Sequence, residues 1–490
     1  MGHMDHAVGR RFRGPALVGV VGLLGALGCL ETGPTLAGES SPKTWPDAPA
    51  AKLRLAGIFG DHMVLQRNAR VPIWGVAPPG QTVTVSIADK QATATAGRDG
   101  TWLARVGPLP AGGPHELTVA GPKDRLGDPI TVADVLVGEV WLASGQSNMQ
   151  MTVGGCQNAK QEIAAAEHPT IRQFRVPIRG TFEPQPDTDG AWTVCSPKTV
   201  KGYSGAAYFF ARDLQRKLHV PIGIINCSRG ATRIQTWMPV ELLQRFPACR
   251  ADLAEAQRIR ANLPRLQKEY EEARARYEQQ WQAQVEKVLD ERTARKLSDP
   301  ATDAGDWPQM TIPGNWEKAG LPDFNGAVWF HKTVDLPAAW AGRDVVLHLG
   351  PIDEMDVTWF NGTQVGASGS LQPRDVSQWL VPRHYRVPGP VVKAGPNVVR
   401  IRAIDTQGQG GLWGQKPHQI RVERADGVGK AIPLAGPWRC KAGARLPSAP
   451  RKPLNMNLPG FLFNGMVHPI LPYATRGAIR YQGESNAGEA

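Results

Sequence analysis

The chain has 490 residues, 41% apolar and 20% charged, which excludes a disordered polypeptide and is too long for one core. Its net charge is +12, but the basic residues are scattered and no Lys/Arg block carries interleaved aromatics. That excludes a nucleic-acid groove and leaves a solvated basic surface.

Residues 1–37 read as a secretion signal. Arg10, Arg11 and Arg13 form a positive start, Pro15 to Leu30 an apolar run, and Thr35-Leu36-Ala37 a small-residue cleavage site. The run is too short for a spanning helix, so a secreted or periplasmic protein is expected. Cys29, after Leu27-Gly28, is an imperfect match to a lipoprotein anchor. Five cysteines follow it (Cys156, Cys195, Cys227, Cys249 and Cys440), enough for two disulfides and one free thiol. None has zinc spacing, so no metal is expected.

From residue 53 to 131 short alternating runs are separated by turns. VPIWGVA, TVTVSIA and HELTVA, broken by Pro78-Pro79-Gly80 and Asp99-Gly100, predict a small β-sandwich. Gly 54 and Pro 42, together about a fifth of the chain, agree with a turn-rich, β-rich protein.

An α/β segment is expected over 132–240. Asp134 to Ala143 is a near-continuous apolar strand, Ser204 to His219 is a helix capped by Ser204, and Ile222 to Asn226 is a second buried strand. Residues 241–300 form a helical insertion. Its stripe is Leu266, Tyr270, Ala273, Tyr277, Trp281, Val285 and Val288. Residues 306–445 return to β patterning as a second sandwich. From 460 to 490 the α/β pattern resumes, with Gly477 to Ala487 reading as a buried strand that ends in small polar residues.

Three strands thus share one design. They end at Gly145-Gln146-Ser147-Asn148, at Ser228-Arg229-Gly230-Ala231-Thr232, and at Gln482-Gly483-Glu484-Ser485-Asn486. Open α/β sheets bind ligands beyond the carboxyl ends of their strands. Acyl transfer needs a nucleophile and donors for a developing oxyanion. Ser147 is placed as the first; its own N–H, the N–H of Gly230 and a side-chain amide could supply the second. The plainer readings stay open at this point: Ser147 as a helix cap, Gly230 as a turn, Gln482 and Asn486 as loop hydrogen-bonders, Glu484 as a structural acceptor.

VWLASGQSNM resembles the nucleophile block of the sialate O-acetylesterase family within the SGNH hydrolases. The likeness extends through MVLQRNARVPIWGVAPPGQTVTV, GYSGAAYFFARDL, PIGIIN, LHLGPIDEMDVTWFNG, HYRVPGPVV, GQGGLWG, FNGMVHP and AIRYQGESNA. It implies a flavodoxin-like, three-layer α/β SGNH domain, incomplete at its C-terminus, with an N-terminal β-sandwich and an inserted jelly roll like the sugar-binding domains of some glycosidases. It makes Ser147 the nucleophile and Ser147, Gly230 and Gln482 the oxyanion hole, with Asn148, Glu484 and Asn486 in support. No cofactor is implied, and the substrate would be an O-acetylated sialic acid or related sugar.

Two departures stand out. The family's Gly-Gly-Thr is Gly230-Ala231-Thr232 here, and Arg480 replaces a Trp before Tyr481. A third is larger: the family's DxxH block, source of the general base, is absent from this sequence, and His468 fits a different block. The expectation is therefore a truncated chain with little activity. The rival expectations are a non-catalytic carbohydrate-binding protein, with Trp307, Trp316, Trp329, Trp359 and Trp413 as stacking surfaces unless, as is the commoner use of such rings, most of them are core, and an acetylxylan-type polysaccharide esterase.

Overall fold

The computed structural model describes residues 52–413 and 416–488, so the expected secretion signal and the candidate anchor Cys29 lie outside the described residues. The described residues divide into two compact units, one spanning 52–261 with 454–488 and the other lying within 262–453.

The first unit is organised by one long strand. Its strands in chain order are β1 (Arg54–Leu55), β2 (Val64–Gln66), β3 (Val71–Val76), β4 (Thr82–Ile87), β5 (Lys90–Thr95), β6 (Thr101–Val106), β7 (Gly112–Ala120), β8 (Ile130–Gly145), β9 (His168–Arg175), β10 (Trp192–Cys195), β11 (Ile222–Ser228) and β12 (Gly477–Tyr481). Strands β1, β3 and β6 form a small sheet. It shares a core with β4 and β7 through Ile73, Trp102, Val83, Val85, Leu117 and Val119.

β8 is six residues longer than the expected strand and serves two sheets at once. Its first half pairs antiparallel with β7 and parallel with β2; its second half pairs parallel with β11 and β12. The sharp boundary expected near residue 131 is therefore absent: the β-layer and the α/β sheet are continuous through one backbone.

Among the parallel strands the spatial order is β9-β11-β8-β12. Of the three strands expected from sequence, the first, β8, thus lies between the second, β11, and the third, β12, the 2-1-3 arrangement of a flavodoxin-like sheet, and β9 adds a strand beyond β11.

Every residue of β11 is buried, as expected for a strand covered on both faces. On one face Ile222 and Ile224 pack against Ala207, Tyr208 and Ala211 of helix α1 (Gly205–Leu218); on the other, Ile225 and Cys227 join the larger core. The Ser204 side chain caps α1 by accepting from Ala207 N–H at 3.2 Å. β12 corrects a second expectation: it is half-exposed rather than buried, because among the described residues only β8 pairs with it.

The second unit holds a six-stranded and a four-stranded antiparallel sheet, with Phe330, Phe360, Ile401 and Trp438 of one packing against Val345, Leu347, Val387 and Val422 of the other. Helices Leu263–Val288 and Glu291–Ser298 cover the far face of the larger sheet through Val285, Val288, Ala294 and Leu297. The expected helical insertion is thus divided, since Arg250–Ala261 belongs to the first unit. Only the last part of its apolar stripe, Val285 and Val288, is fully buried. Trp307, Trp316, Trp329 and Trp359 are all core residues, and Trp413 is half-buried. The five described cysteines are all free thiols.

Candidate active site at three strand ends

The three strand ends lie side by side. Gly145, the last residue of β8, is in register with Ser228, the last of β11, and with Tyr481, the last of β12. The three polar segments therefore leave the sheet at one level. Gly145 has φ of +144°, and a Cβ added there would stand 2.0 Å from the Tyr481 carbonyl oxygen. Only glycine lets β12 approach so closely.

Beyond the sheet the segments are stitched together by hydrogen bonds. Gln146 N–H donates to the Tyr481 carbonyl at 3.0 Å, and Arg229 N–H to the Gly145 carbonyl at 3.0 Å. The Gln146 side chain is buried, and its Oε1 accepts from Gln482 Nε2 at 3.0 Å and from Ser485 N–H at 3.2 Å. Asn148 donates to Glu484. Asn486 accepts from Ile234 N–H at 2.8 Å and donates to Gln235 at 3.0 Å.

Ser147 opens a short helical turn, Ser147–Gln150, and is exposed. Its N–H lies in the first turn, where backbone donors have no intrahelical acceptor. Gly230 sits directly against it: a Cβ added at Gly230 would lie 3.5 Å from both Cα and Cβ of Ser147. The Gly230 N–H donates to Gln150 Oε1 at 2.7 Å. Gln150 was not singled out from sequence, although its place one helical turn after Ser147 is the signal that could have found it.

Gln482 is differently placed from Gly230. Its amide donates to Gln146 Oε1 and, at 2.6 Å, to the Thr232 carbonyl, while its own Oε1 is buried without a partner among the described residues. Both of its N–H groups tie strand ends together, and it would have to release one to face an oxyanion. Gln146, also missed from sequence, is the hub of this network.

The two departures from the family pattern have structural consequences. Ala231 has φ of +57°, the left-handed region that the missing glycine would occupy at no steric cost. Arg480 lies over the Trp237 ring at 5.9 Å, so a cation–π contact stands at the position of the usual Trp. His468 hydrogen-bonds through Nδ1 to the Gln185 carbonyl at 2.7 Å and packs its ring against Phe463. Among the described residues, Ser147 Oγ has no hydrogen-bond partner, and no group of three or more His, Cys, Asp or Glu is arranged to hold a metal. Burial pushes the Cys227 thiol, on β11, up to about 12, which leaves it neutral.

Residues 137–299 match the family model for carbohydrate esterases of the sialic acid-specific acetylesterase type. The sialate O-acetylesterase of Rattus norvegicus is 34% identical over 200 residues, covering 38% of this chain and 37% of that protein. The Homo sapiens sialate O-acetylesterase is 35% identical over 210 residues, covering 39% and 40% respectively. Over this stretch the chain is similar to sialate O-acetylesterases. The chain spans well under half the length of these relatives. A carbohydrate acetylesterase from Xanthomonas citri is 37% identical over 39% of this chain and 43% of its own, with a TM-score of 0.37. No helix among the described residues is long and apolar enough to cross a membrane.

Proposed function

We propose that this chain is an exported carbohydrate esterase of the sialate O-acetylesterase family that removes O-acetyl groups from sialic acid or related acetylated sugars. The observation that carries the reading is the register of Gly145 with Ser228 and Tyr481, which supports a single pocket formed by three strand ends. In this reading Ser147 Oγ attacks the acetyl carbonyl carbon and the C–O bond to the sugar breaks. The sugar oxygen takes a proton and leaves, and water then hydrolyses the acetyl-serine. The carbonyl oxygen, negative in the tetrahedral intermediate, is received by the N–H groups of Ser147 and Gly230, with Gln482 as the third donor. Gln150 Oε1 must withdraw from Gly230 for this to happen. Asn148, Glu484 and Asn486 hold the surrounding segments. The second unit serves as the inserted jelly roll.

A serine hydroxyl is a weak nucleophile until a base takes its proton. Ser147 Oγ has no such partner among the described residues, so the 490-residue chain is expected to turn over acetyl esters very slowly. Acetate release from O-acetylated sialic acids and from acetylated xylo-oligosaccharides, compared between the chain and Ser147→Ala, tests the reading. Fast release abolished by the substitution would refute the slow-turnover claim and support the nucleophile. Release equal in both proteins would refute Ser147. Preference for the xylo-oligosaccharides would move the substrate class to plant polysaccharides.

A further inference from the structure

On the outer face of the four-stranded sheet of the second unit, two histidines stand opposite one another. Strands Val345–Pro351 and Pro382–Val387 pair antiparallel with His348 in register with His384. The two Nδ1 atoms are 2.7 Å apart, and the rings meet edge to face at 4.8 Å between centroids. On the next strand, Glu423 Oε1 is 2.9 Å from His348 Nε2. Arg421 donates through Nε to the other oxygen of Glu423 at 3.0 Å.

We propose that His348 and His384 form a two-nitrogen chelate for a divalent transition-metal ion, with Glu423 as the positioning carboxylate behind His348. Glu423 is an acceptor only, so His348 must carry its proton on Nε2 and leave the Nδ1 lone pair facing His384. Two imidazole nitrogens each about 2.0–2.1 Å from one ion, at a right angle, are about 2.9 Å apart. The pair is therefore already close to the required span, and a small rotation of the exposed His384 ring completes it. His384 can carry its own proton on the solvent-facing Nε2, so binding needs no net proton loss. Water fills the remaining coordination positions.

The two histidines are 36 residues apart in sequence, and only strand register brings them together.

Imidazole sites follow the order in which Cu²⁺ binds more tightly than Zn²⁺. The test is calorimetric titration of the chelator-treated, untagged chain with Zn²⁺ and Cu²⁺, beside His384→Ala and Glu423→Gln. Other histidines, including His3 and His6, can bind on their own account, so the readout is the difference from wild type. We expect His384→Ala to lose one bound ion per chain, and Glu423→Gln to weaken that site about 10- to 100-fold. Thermal unfolding of both variants should match wild type, because His384 is exposed. Equal uptake at equal affinity by wild type and His384→Ala would overturn the site. Loss in His384→Ala with unchanged binding in Glu423→Gln would overturn the role of Glu423.

Discussion

The backbone N–H of Gly230 points at the side-chain oxygen of Gln150, 2.7 Å away, beside Cα and Cβ of Ser147. In the reading proposed above, a carbonyl-type oxygen already occupies the place where an ester oxygen would be received, and Gln150 would gate it. Gln150→Ala should speed hydrogen exchange of the Gly230 amide and cost about 0.5–1.5 kcal/mol in denaturant unfolding. Unchanged exchange at Gly230 would mean that the contact does not persist in solution.

Gly230→Ala addresses the same place from the other side. Its new Cβ would meet Gln150 Oε1 at 3.0 Å and Ser147 at 3.5 Å, so a small shift accommodates it. The protein should fold normally and keep the N–H donor, yet the new methyl would crowd and displace the ester oxygen, lowering any Ser147-dependent acetate release by about 100-fold. A large drop in melting temperature would point instead to a purely structural glycine.

Gly145→Ala should be far more damaging to the fold. The added Cβ would overlap the Tyr481 carbonyl at 2.0 Å, with φ at +144°. We expect a loss of about 3 kcal/mol or more in urea unfolding, with β12 released from β8. Protection of the Gln146 amide, which donates to Tyr481, would fall with it.

Ala231→Gly should stabilise. The left-handed conformation costs an L-residue roughly 1–2 kcal/mol, partly offset by the greater freedom of glycine when unfolded. A net gain of about 0.5–1 kcal/mol in denaturant unfolding is expected, and a loss would show that the Ala231 side chain packs favourably.

The second unit should weaken as pH rises. Burial pushes the Asp405 carboxyl up to about 8, and burial with the neighbouring Glu354 pushes Asp353 up to about 7. Each binds its proton more tightly when folded. Its stabilisation is therefore whole below the unfolded value of 3.8 and is lost as pH rises through the folded value. Urea unfolding followed by tryptophan fluorescence should show less stability at about pH 9 than at about pH 5, with a flatter slope in Asp405→Asn. An unchanged slope would contradict this account of Asp405.

The parallel strands and the cap of α1 were legible because burial on both faces leaves a continuous apolar run and Ser204 precedes a helical stripe. The length of β8 was not: its alternating first half and its apolar second half look like two elements, and only pairing reveals one. Register likewise hid the His348–His384 pair. At the candidate site Ser147 and Gly230 were named from sequence, whereas Gln146 and Gln150 were passed over, because glutamines in loops carry no pattern until their partners are known. Trp329 and Trp359 fit the core reading of the sandwich's tryptophans: they stack on each other at 5.4 Å inside it.

The most direct test of the central claim supplies the base from outside. Acetate release from O-acetylated sialic acid should be near background for the 490-residue chain, rise with added imidazole, and lose that rise in Ser147→Ala. A rise that is identical in Ser147→Ala would contradict the assignment of Ser147 as nucleophile.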